Sequence, residues 1–78
     1  MPTLTVHAIW DAEAEVWVAT SEDVPGLATE AANPSELIQK LQTMIPELLR
    51  LNGVGNDDND IPEVPVSLLY EQNLTVRI

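Results

Sequence analysis

The chain has no cysteine, no phenylalanine and only three basic residues, Lys40, Arg50 and Arg77. Without cysteine there is no disulfide staple and no thiolate zinc site. The three bases are scattered, which argues against nucleic-acid binding, since that needs clustered cations to displace phosphate counterions. Glycine occurs only at 26, 53 and 55, so no phosphate-cradling loop is present. No apolar run approaches the roughly 20 residues that span a bilayer. The start, MPTLTVHAIWDAE, lacks the basic opening and cleavage pattern of a signal peptide. A cytoplasmic protein is the expectation.

What is abundant is acid. Thirteen carboxylates give a net charge of −10. Such a charge keeps a protein soluble and complements a basic partner. A chain of 78 residues makes one domain, expected over 1–78. A chain this short buries only about 60% of its unfolded surface, so self-association, as a homodimer or higher oligomer, is expected to add stability.

One stretch reads as a helix, Asn33 to Gly53. Asn33 can cap it, Pro34 suits the first helical position and Glu36 completes a capping-box pattern. Ile38, Leu41, Ile45, Leu48 and Leu51 recur at three-four spacing, widened by Leu37, Met44 and Leu49. Pro46 interrupts the backbone ladder, but the apolar phase runs through it, which predicts a kinked continuous helix. Arg50 suits the negative pole, and Gly53 can supply the left-handed stop.

The rest reads as strand and loop. Thr3 to Trp10 alternates, with Leu4, Val6, Ala8 and Trp10 on one face. A short loop at Asp11–Ala14 leads to a second strand, Glu15 to Thr20. Pro25-Gly26 fits the centre of a type II turn, and Leu27 to Ala32 leaves room for a third strand. From Val66 to Ile78 the even positions are apolar apart from Gln72, which predicts one long half-buried strand, bent near Glu71–Asn73 or divided there. The expected fold is two-layer α+β, in the order β-β-β-α-β, with an antiparallel sheet covered on one face by one helix.

No constellation for catalysis, metal or cofactor binding is expected. His7 is the sole histidine, with no nucleophile or carboxylate placed beside it by the sequence. Asp11, Glu13, Glu15, Glu22 and Asp23 fall in two loops close in sequence. They could hold magnesium for a metal-assisted hydrolase, but solvated hairpin ends explain them as well. Asp57–Asp60 has the composition of a calcium loop without its glycine and terminal glutamate. Trp17 alternates away from Val16 and Val18. With Glu15, Glu22 and Asp23 it forms a candidate partner or dimer surface, while Trp10 is expected under the helix.

The segment VWVATSEDVPGLATEAANPSELIQKL resembles the HicB-like antitoxin superfamily, within its short single-domain group. The matching features are the hairpin ending at Val16–Ala19, the turn Asp23-Val-Pro-Gly-Leu27 and the capped helix with Glu36-Leu37. The resemblance implies a partial ribonuclease-H-like fold without enzymatic activity. It also implies a protein partner, a small basic HicA-like ribonuclease toxin, and frequent dimerisation. Glu30–Asn33 replaces the glycine and threonine typical before the helix. No C-terminal DNA-binding segment is expected, so operator binding is not carried over from the resemblance. A small-ligand-binding regulatory domain is a further alternative.

Overall fold

The computed structural model describes residues 3–53 and 63–78. The acidic stretch at 54–62, including Asp57–Asp60, lies outside the described residues. The elements are β1 (Leu4–Asp11), β2 (Val16–Thr20), β3 (Ala28–Ala31), α1 (Pro34–Leu51) and β4 (Val66–Glu71). They form one α+β layer pair with the expected element order. The sheet runs β3-β2-β1-β4.

The sheet is mixed rather than antiparallel. β1, β2 and β3 form an antiparallel meander, but β4 lies parallel to β1. A single helix after β3 returns the chain to the end of the sheet where β3 began. The next strand must then run in the direction of β3, which is also that of β1.

α1 is continuous over 18 residues despite Pro46. The Asn33 side chain accepts a hydrogen bond from the Glu36 N–H at 2.9 Å, capping the first turn as expected. At the other end the Asn52 N–H donates to the Leu48 carbonyl, the Gly53 N–H donates to that of Arg50, and Gly53 takes φ +85°. The helix lies over β3 and β2. Leu37, Leu41 and Ile45, spaced by four, are its buried residues. They pack with Val6, Ala8, Ala19, Val24, Leu27 and Ala31 into one core. Ile38, expected in the stripe, is 43% exposed. The buried line runs one residue to its side, because α1 sits toward the β3 edge rather than over the sheet centre.

The register decides the faces. Trp10 pairs with Trp17, and Ala8 with Ala19. Trp17 therefore shares the helix-bearing face with Trp10, and Val16 and Val18 lie on the other. The turn between β2 and β3 is built as read: the Leu27 N–H donates to the Val24 carbonyl at 3.1 Å, around Pro25 and Gly26 with φ +87°. A Cβ added at Gly26 would stand 3.4 Å from a methyl of Leu48, so the turn also abuts the helix.

β4 is shorter than expected. Its paired part stops at Glu71, and residues 72–78 continue without turn or strand partner among the described residues. Leu74 and Val76 are 75% and 67% exposed. The alternation from Val66 onward is real, but among the described residues its second half covers nothing.

Candidate functional site

The acidic loops do not converge. Asp11 closes the β1–β2 loop, its Oδ1 accepting from the N–H groups of Glu13 and Ala14 at 3.0 and 3.2 Å. Glu15 ends that loop at φ +56°, the left-handed position of a hairpin connection. Asp23 sits at the opposite end of β1, where its Oδ2 accepts from the Thr5 N–H at 2.7 Å. Successive loops of a meander lie at opposite ends of the sheet. Thr5 and Asp11 stand about 20 Å apart along an extended strand. Among the described residues no group of three His, Cys, Asp or Glu side chains could hold a metal ion.

Asp23 and Ser21 instead anchor the turn. The Ser21 hydroxyl donates to the Thr5 carbonyl at 2.6 Å and accepts from the N–H groups of Asp23 and Val24. Together they tie the start of β1 to the β2–β3 connection, and Val24 beneath them is fully buried. Of the candidate surface residues, Asp23 is thus engaged in the fold, whereas Glu15 and Glu22 are exposed at opposite ends of the sheet.

Trp17 is also accounted for by packing. Its ring lies 5.3 Å from that of Trp10 and 5.1 Å from that of Tyr70, the latter edge-on at 83°. Such contacts contribute roughly 0.5–1.5 kcal/mol each beyond the area they bury. The trio joins β2, β1 and β4 on the helix-bearing face, beyond the strip α1 covers.

Among the described residues, the surface that no element covers is the other face. One row crosses all four strands: Glu30 on β3 pairs with Val18, Val18 with Ile9, and Ile9 with Glu71 on β4. An apolar pair is flanked by a carboxylate on each outer strand, across about 14 Å. The next row reads Ala28, Thr20, His7, Leu69. Ile9 and Leu69 are 46% and 48% exposed. This is a shallow apolar centre with acids at both sides and His7 beside it. Parity could have found it. A hairpin loop with an even number of residues puts odd and even positions on one face, so Trp10 inward requires Trp17 inward and Val18 outward.

Among the described residues no helix is long and apolar enough to cross a membrane. No curated protein matches the chain. A hypothetical protein, TTHA1013, from the extremely thermophilic bacterium Thermus thermophilus has a similar crystal structure. It shares 52% sequence identity over 99% of this chain and 100% of its own, with a TM-score of 0.70. The family model for DUF1902, a domain of unknown function, matches residues 3–77. That match replaces the broader HicB resemblance as the family assignment, and the chain belongs to the DUF1902 family.

Proposed function

We propose that this domain is a non-enzymatic, cytoplasmic protein-interaction module that binds a small basic protein across its uncovered sheet face. Its role would be the one a HicB-type antitoxin plays toward a HicA-like ribonuclease toxin. The row Glu30–Val18–Ile9–Glu71 carries this reading. An apolar centre supplies the area a partner buries, and the flanking carboxylates select for Lys or Arg on either side. The net charge of −10 would add long-range attraction for the same partner. The hydrolase alternative draws no support from Asp11 and Asp23, which stand at opposite ends of β1 and are spent on backbone N–H groups. No observation favours a small ligand on the sheet.

The test is calorimetric titration of the full chain with the small basic proteins encoded beside its gene. Binding should weaken with salt. Ile9→Asp should weaken it by about tenfold or more, and Glu30→Lys with Glu71→Lys by roughly 2- to 30-fold. Circular dichroism checks that each variant folds. Failure of every such protein to bind, or binding indifferent to both substitutions, overturns the reading. So does magnesium-dependent nuclease activity that Asp11→Asn abolishes.

A further inference from the structure

Residues 72–78 are a strand in pattern without a strand to join. Leu74 and Val76 stand in solvent and Ile78 follows in phase. Beside them β4 is a sheet edge. Its helix-side residues Val66 and Tyr70 are still 40% and 42% exposed, because α1 lies over β3 and β2. A run of unsatisfied backbone groups next to an open apolar edge is a template for pairing. Among the described residues no strand pairs with this segment.

We propose that two copies of this chain join through this segment, residues 72–78 of each pairing antiparallel with β4 of the other. The occupant is a second copy for two reasons. The first is charge. On a chain of net −10, the stretch 66–78 carries one acid, Glu71, and one base, Arg77. Two like-charged molecules can meet along this stretch with little repulsion.

The second is self-complementarity. A two-fold axis through Gln72 pairs Tyr70 with Leu74, Leu68 with Val76 and Val66 with Ile78, twice over. Every pair is apolar and every side chain falls on the helix-bearing face. The odd positions pair Glu71 with Asn73, Leu69 with Thr75 and Ser67 with Arg77, so no like charges stand opposite. Shifting the axis to residue 71 would set Glu71 against itself. Shifting it to 73 would oppose Gln72 to Leu74. Pairings that match odd with even positions would put apolar residues on the wrong face. The product is a continuous eight-stranded sheet with both helices on one side, an isologous closed contact.

The interface predicts one chemically specific cross-link. The chain has no cysteine, and residue 72 faces its own copy across the axis at a Cα separation of roughly 4.5–5.5 Å, within disulfide range. Gln72→Cys should oxidise to a covalent dimer, whereas Ser67→Cys, facing Arg77, should not. In sedimentation equilibrium the full chain should show twice its 8.6 kDa mass. Leu74→Glu with Val76→Glu should raise the dimer dissociation constant by about a hundredfold or more, while circular dichroism stays native, since neither side chain packs in the monomer. A monomer at every concentration overturns the proposal. So does a dimer that survives the double substitution, or equal cross-linking at residues 67 and 72. Binding to the basic partner is a separate measurement, so either idea can fail alone.

Discussion

The two halves of the sheet, edge to edge, are built differently. The β2–β3 side has α1 above it, a turn stitched by Ser21, Asp23 and Gly26, and most of the fully buried side chains. The β1–β4 side has backbone pairing along the whole of β4 but only a partial roof, supplied by Trp10, Trp17 and Tyr70. The first side holds the fold together; the second presents surface. A small domain that must also offer an interface can separate the two tasks in this way, so that changes on one side leave the other largely intact.

Substitutions can break that contrast. Leu37, fully buried between the helix and β3, should dominate. Leu37→Ala is expected to cost about 2–5 kcal/mol in urea unfolding, through lost transfer energy and the cavity left behind. Ser21→Ala removes one donor and one shared acceptor beneath the β2–β3 turn and should cost about 1–3 kcal/mol in the same measurement. Asn33→Ala removes the helix cap and should cost about 1 kcal/mol, recovered in large part by Asn33→Ser. Leu69→Ala sharpens the comparison from the other side. Its side chain lies on the bare face, and the unfolding free energy should move by less than about 0.5 kcal/mol. If Leu69→Ala cost as much as Leu37→Ala, the bare face would be a structural surface, and the two halves would not divide the labour between them.

The parts that were legible in the amino-acid pattern are those governed by local chemistry. Asn33 and Pro34 announce the start of α1, Gly53 its end, and Pro25-Gly26 the turn, because each depends on a few neighbouring dihedrals. The four-residue spacing of Leu37, Leu41 and Ile45 was present too, although a stripe as wide as this one does not say which line faces inward. What failed to show was long-range. The direction of β4 depends on a helix crossing the sheet. The independence of Asp11 from Asp23 depends on which end of a strand each loop occupies. Alternation alone could not distinguish a residue covered by its own chain, as Leu68 partly is, from one such as Leu74 that stands largely exposed. The candidate site was harder to read than the fold for the same reason. Trp17 drew notice as a large side chain, whereas the Glu30–Ile9–Glu71 row assembles residues from three separate strands.

The parallel docking of β4 beside β1 also sets the order in which the protein can be made. β1 leaves the ribosome first, yet one of its two edges has no neighbour until Val66–Glu71 emerges, 55 residues after Asp11. At about 5–20 residues per second that edge stays open for roughly 3–11 s. During this interval the nascent chain can hold a meander and a helix but not a finished sheet, and a strand that ends up in its interior is the one left bare to other nascent chains.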